Sequence, residues 1–320
     1  MAGGQERILR RRIRSVQSTK KITRAMELIA ASRIVRAQAR VEAAVPYSDQ
    51  ITEVVHDLAD TGGTIDSPLL VARPEIRRVG LVVVTADRGL CGAYNSSILR
   101  AAEGEIEEHR ELGRDPAVYV VGRKGESYFR YRNLAVEASF TGFSDQPSYE
   151  DARAVAHGVS VPFLEGGLDM VQVIYTRFIS VGGQEVVVRP LMPLEREVLR
   201  DEDERGPQGE GPRAGYEFEP GPEEILERLL PRYVEARIFA ALLNAAASEH
   251  AARQRAMKAA SDNADELIVN LTRVMNRARQ DAITTEITEI VGGAEALRQL
   301  GEQGVEEPYG EDLRVRAYAE

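Results

Sequence analysis

The chain of 320 residues has a single cysteine, Cys91. No disulfide can form within it, which suits a reducing compartment. Nor does it have a long apolar run. The longest are a few residues, so no transmembrane helix is expected. The opening MAGGQERILRRRIRS has no apolar core and does not read as a secretory leader. Glycine and proline are missing over two long stretches, Gln5–Val45 and Arg232–Val291. As helices these would measure about 60 Å and about 90 Å, far longer than an ordinary domain helix. A fold closed around one pocket has little use for elements of that length.

Apolar residues make up 43% of the chain, enough for a core. Net charge is −10, but it is unevenly placed. Residues 1–45 carry eleven Lys or Arg against Glu6, Glu27 and Glu42, so the rest of the chain is strongly acidic. A basic helix on an acidic protein calls for a counterpart: nucleic acid, an anionic membrane, or acidic loops of another protein. The Arg10–Lys21 region has no interleaved aromatics, a poor pattern for nucleic acid. A solvated helix face is the plainer alternative.

Helical periodicity is clear in both stretches. Ala264, Ile268, Leu271, Met275, Ala278 and Ala282 form a heptad-like seam, widened by Leu267, Val274, Ile283, Ile287 and Ile290. Near the start, Ile22, Met26 and Ile29 repeat at helical spacing, flanked by Ile8, Ile13 and Val16. An antiparallel pair made by the two chain ends is expected, with the C-terminal helix overhanging by about 30 Å. A helical-bundle core is the alternative. Pro46 is expected to kink or end the first helix, Pro231 to sit in the first turn of the last, and Gly292-Gly293 to stop it.

Between the helices the pattern turns to short β-rich runs: Val79–Thr85, Ala117–Val121, Leu134–Phe140, Met170–Ser180 and Glu185–Pro190. The last two meet in a hairpin at Gly182-Gly183. Helical patches lie near Ser96–His109, Arg123–Tyr131 and Tyr149–Leu164. Alternation of this kind implies a largely parallel sheet with one antiparallel edge. The organisation is then residues 1–60 as a long N-terminal helix and 75–195 as a central Rossmann-like α/β domain. An acidic, Gly- and Pro-rich loop insert follows at 196–222, a long C-terminal helix at 223–300 and a polar tail at 301–320.

Chemical motifs are sparse. The turn Asp87-Arg88-Gly89-Leu90-Cys91-Gly92-Ala93-Tyr94-Asn95 follows the first strand, where doubly wound folds bind phosphate. Its two glycines do not make G-x-G-x-x-G, and Gly122–Ser127 fails the P-loop pattern. Tight turning explains them. Asp87 suits a turn or capping role better than acid–base work, and Cys91 reads as a buried structural thiol. His56, His109, His157 and His250 lack metal-ligand spacing. No catalytic residues, cofactor or metal site are expected. An enzyme binding a nucleotide at Asp87–Asn95 is the competing reading.

Three blocks carry a family resemblance. They are Arg12–Val16 with Lys20–Glu27, then Asp87–Gly92 with Asn95, then Ala256–Ala264 running through Asn276–Gln280 and Ile283–Glu286 to Glu289–Ala294. In that order they resemble the gamma subunit of F-type, proton-translocating ATP synthases over about residues 3–300. The resemblance implies a non-catalytic rotor shaft, coupling proton flow through a membrane ring of c subunits to ATP synthesis, and regulating it. It implies the alpha and beta subunits of the catalytic hexamer and the epsilon subunit as partners, no nucleic acid, and peripheral attachment at the cytoplasmic face of the bacterial cell membrane. Met26, Arg253, Arg279, Gln280 and Thr284 match positions where the family's shaft engages the catalytic subunits, and Lys20 and Lys21 of the basic first helix are expected to add charged coupling contacts. The insert at 196–222 has no cysteine, so the dithiol switch of some photosynthetic members is absent, and the tail 301–320 extends past the usual end.

Overall fold

The computed structural model describes residues 2–60, 68–194 and 221–302. Most of the acidic insert 196–222 and of the tail 301–320 lies outside the described residues. The elements are α1 (Ala2–Asp60), β1 (Arg78–Val84), α2 (Tyr94–Glu111), β2 (Asp115–Val121) and α3 (Arg123–Tyr131). After them come β3 (Val136–Phe140), α4 (Tyr149–Leu164), β4 (Met170–Phe178), β5 (Gln184–Met192) and α5 (Pro222–Glu302). All five expected strands are present, with ends within two residues of the expectation.

Two compact units divide the chain. One is Ile22–Ser261 and the other combines the residues before it with those after it. The larger unit holds a five-stranded sheet of order β3-β2-β1-β4-β5. β1 pairs in parallel with β2 and β4, β2 with β3, and only β5 runs antiparallel, beside β4. β1 is central and covered on both faces, so Val79 to Val84 reads as an unbroken apolar run rather than an alternating one. Val79, Leu81 and Val83 pack with Ile98, Ala102 and Phe129 of α2 and α3. Val82 and Val84 face the other way, into a core shared by α4, the end of α1 and the start of α5. Strand order reverses between β1 and β4, which makes their carboxyl ends the switch point of the fold.

That second core explains why α1 does not end at Pro46 and why α5 begins before Pro231. α1 passes through Pro46 because Ile51, Val55 and Leu58 beyond it are buried in the domain core. α5 starts at Pro222, well before Pro231, because Leu226 and Leu230 are buried in the same core. Each such side chain contributes about 1.5–3 kcal/mol on burial, and several together offset the bond a proline removes. α5 also continues through Gly292-Gly293 to Glu302. The Ala294–Leu297 run that follows is rich in good helix formers, which offsets about 1 kcal/mol per glycine.

α1 and α5 are antiparallel in the larger unit. Thr23 meets Ser261, hydroxyl to hydroxyl, at 2.7 Å, while Val55 and Leu58 share a core with Leu226 and Leu230. In the smaller unit, Lys20 bridges to Asp265 at 2.5 Å.

Candidate coupling surface

Burial along α5 follows the expected seam. Ala264 and Leu271 are buried and Ile268, Met275, Ala278 and Ala282 half-buried, whereas the proposed widening residues are exposed. The seam of α1 differs from the expectation. It runs through Leu9, Ile13, Val16, Lys20, Thr23, Glu27, Ala30, Ile34 and Ala37, alternating steps of three and four. Ile22 is 61% exposed and Ile29 55% exposed, so they do not hold the helix pair; Met26 is half-buried beside the seam. Between Lys20 and Ala30 the seam carries small and polar side chains, and the larger Ile22, Leu28 and Ile29 of that stretch point out. Glu27 is tolerated there because Arg24 grips both its carboxylate oxygens, at 3.0 and 2.8 Å.

The seven expected coupling residues fall into three groups. Lys20 lies half-buried on the α1 seam and is bridged to Asp265, while its neighbour Lys21 is exposed. Arg279, Gln280 and Thr284 are exposed on α5, one turn apart, with the Thr284 hydroxyl donating to the Gln280 carbonyl at 3.0 Å. From Ile283 to Gln299 every residue is exposed, including Ile283, Ile287, Ile290, Val291 and Leu297. Counting outward from the Lys20–Asp265 bridge puts Ala2 opposite Ile283, so α1 ends where this bare stretch begins. The overhang is about 30 Å of helix.

Arg253 is different. It is 8% exposed, and its guanidinium pairs with Glu249, 1% exposed, at 2.6 Å. Arg253 is therefore built into the interior rather than presented on the surface as Arg279, Gln280 and Thr284 are. Burial pushes the Glu249 carboxyl up, and the Arg253 charge opposes that. Arg253 also reaches the Gly89 carbonyl at 3.4 Å, and the Ser144 hydroxyl donates to Glu249 at 3.3 Å. On the next residue of α5, His250 contacts the Asp145 carbonyl at 3.0 Å through Nε2 and Arg253 at 3.5 Å through Nδ1. Asp145 in turn takes Arg33 of α1 at 2.6 Å. This network ties α5 and α1 to the loops at the sheet's carboxyl end.

The Asp87–Asn95 turn belongs to the same anchorage. Burial would raise the Asp87 pKa, but backbone N–H donation from Ser144, Gly142 and Arg123, and the Ser144 hydroxyl, lower it overall. Its carboxylate thus caps α3 at Arg123 and pins the loop after β3. Asn95 closes the turn by accepting from Ala86 N at 2.9 Å and donating to Cys91 Sγ at 3.1 Å. Burial raises the Cys91 thiol pKa first, and Glu249 adds to it. The two glycines serve a turn whose Leu90 and Gly92 both have positive φ. Sequence reasoning missed Glu249, Asp265, Arg33 and Asp145. An isolated acid on a helix gives no sign of burial until its partner's position is known.

Comparison with known proteins agrees with this geometry. A profile of the family described as ATP synthase matches residues 5–297. The class is therefore that of ATP synthase stalk proteins, with paired terminal helices and an α/β domain. The ATP synthase gamma chain of Parafrankia sp. is 53% identical over 298 residues, covering 92% of this chain and 98% of that one. That of Frankia casuarinae is 55% identical with the same coverage. Among solved structures, the central stalk and c-ring structure of Tetrahymena thermophila mitochondrial ATP synthase has a chain 27% identical, with a TM-score of 0.54. It covers 75% of this chain and 99% of that chain. A chain of the Euglena gracilis mitochondrial enzyme shares the fold, with a TM-score of 0.67 at 17% identity over 97% of this chain and 100% of that one. The chain belongs to the ATP synthase gamma chain family, the non-catalytic stalk subunit of the F-type enzyme.

Proposed function

We propose that this chain turns as the central shaft of a bacterial F-type ATP synthase, coupling proton flow through a ring of c subunits to ATP synthesis in a hexamer of alpha and beta subunits. The observation that carries this reading is the bare end of α5. A helix end with no tertiary partner among the described residues gains no stability from packing, and its exposed Ile283, Ile287, Ile290, Val291 and Leu297 need a covering surface. The hexamer supplies one. Arg279, Gln280 and Thr284 at the base of the overhang, with Lys20, Lys21 and Met26 on α1, are the coupling contacts. Arg253 acts at one remove, by fixing α5 to the α/β domain.

Rotation does work only if each orientation of the shaft favours a different conformation of the catalytic subunit it faces. An off-axis pair of unequal helices meets that condition, since it presents a different side in each direction. The basic face of α1 meets acidic loops of those subunits, a contact that is strong at short range and screened by salt. The α/β domain stays outside the hexamer, where it takes the epsilon subunit and the ring. No described helix is long and apolar enough to cross a membrane. Attachment is then peripheral, at the cytoplasmic face of the bacterial membrane.

Coexpression with the alpha and beta subunits tests this. Affinity purification of the hexamer should retain the full chain. A folded, monomeric chain that binds neither subunit would refute the proposal.

A further inference from the structure

The bare end of α5 is patterned. Ile283, Ile287, Ile290, Ala294 and Leu297 step by four, three, four and three, so they form one apolar stripe, and all five are exposed. The stripe is not the α1 seam prolonged. That seam reaches Ala282, and a shift of one residue turns the side chain by about 100° around the helix. A further segment is needed to cover the stripe. Its flank sets the chemistry of that segment. Glu286 and Glu289 lie along one side, both exposed and neither in an ion pair among the described residues. Residues 283–297 carry three glutamates and no lysine or arginine.

The chain itself carries a segment of matching character within reach. Eighteen residues, 303–320, follow α5 and lie outside the described residues, and the family profile stops at residue 297. The last of them interleave Leu313, Val315 and Ala317 with Arg314 and Arg316, opposite in charge to the flank of the stripe. The way back along the helix from Glu302 to Glu286 is about 24 Å. The ten residues 303–312 can span up to about 33 Å when extended, and Gly304, Pro308 and Gly310 suit a reversal. We infer that in the unassembled chain this tail folds back on α5, laying Leu313 and Val315 on Ile287 and Ile290, with Arg314 and Arg316 against Glu286 and Glu289. Each exposed ion pair is weak, but tethering gives the tail an effective concentration in the millimolar range. The cover therefore holds in the free chain and yields to a partner with a larger surface. The inference does not rest on the rotor reading, since it needs no partner; under that reading the tail leaves the stripe when the hexamer takes it.

The test uses the full chain, dilute and at low ionic strength, in a Cys91→Ala background. Ile287→Cys with Val315→Cys should form an intrachain disulfide on mild oxidation. Thr285 lies on the opposite side of the helix, so Thr285→Cys with Val315→Cys should react about tenfold more slowly. Adding Arg314→Glu and Arg316→Glu should slow the disulfide between positions 287 and 315 about threefold to tenfold, and Glu286→Lys with Glu289→Lys on top of these should restore it. All the changed positions on α5 are exposed, and circular dichroism melting shows that each variant keeps its helices. The inference is overturned by equal rates for the 287 and 285 pairs, by charge reversal that leaves the rate unchanged, or by interchain disulfides alone, which would put a second copy of the chain on the stripe.

Discussion

Replacing Arg253 with Met should destabilise the chain by about 3–5 kcal/mol, the usual result of removing one partner from a buried ion pair. The structure shows why. Glu249 is 1% exposed and would keep only the Ser144 hydroxyl, 3.3 Å away, as a partner. It could escape by taking up a proton. Holding a proton at pH 7 on a carboxyl of ordinary acidity costs about 1.4 kcal/mol per pH unit above its pKa, so roughly 3.5–4 kcal/mol. Both estimates agree in size. The sign with pH then follows. A Glu249 whose folded pKa lies above its unfolded value contributes stability at low pH that is lost as pH rises towards the folded value. The Arg253→Met chain should therefore gain stability, relative to wild type, from pH 7.5 to 5.5. The double variant Arg253→Met, Glu249→Leu should recover most of the loss, because no charge is left buried. Urea unfolding of the full chain, followed by helical circular dichroism, measures all three. A single variant within about 0.5 kcal/mol of wild type, or a double variant no better than the single, would refute the reasoning.

Other expectations are smaller or concern coupling. Lys20→Ala with Lys21→Ala should change the stability of the chain by less than about 1 kcal/mol, since the Lys20–Asp265 bridge is largely exposed; ATP-driven proton pumping should fall and become less salt-sensitive, since the screened charges are gone, and identical salt series would end the electrostatic account of α1. Met26→Lys should lower the protons pumped per ATP by adding a cation beside the seam, and an unchanged ratio would contradict that. His250 is buried, which lowers its pKa, with Arg253 and Arg33 adding to the effect and Asp145 opposing it. Its neutral form is favoured in the folded chain, so stability is lost as pH falls below the usual histidine range; His250→Gln should flatten that loss in melting curves taken from pH 7 to 5. Deleting Asp201–Ala214, an acidic stretch with little to bury, should leave copurification with the hexamer intact.

The sheet was readable because burial on both faces leaves Val79–Val84 apolar throughout and turns bracket each strand. The α5 seam was readable because its three-four spacing is written in apolar residues. The α1 seam was not, because it passes through small and polar residues such as Thr23, Glu27, Ala30 and Ala37, while the bulkier Ile22 and Ile29, also at helical spacing, lie exposed. Pro46, Pro231 and Gly292-Gly293 were local signals overruled by packing or by flanking propensity. Among the candidate site residues, Arg279, Gln280 and Thr284 are exposed as a contact surface requires. Arg253 could not be told apart from them by sequence, since nothing local records that Glu249 and Gly89 enclose it.

Rotation itself is the most direct test. Tyr131, 84% exposed on α3, is replaced by Cys in a Cys91→Ala background to carry a bead, in a complex of this chain with an immobilised catalytic hexamer. ATP should drive the bead round in one direction, pausing at three positions per turn. ATP hydrolysis at the normal rate with a bead that only fluctuates would contradict the account.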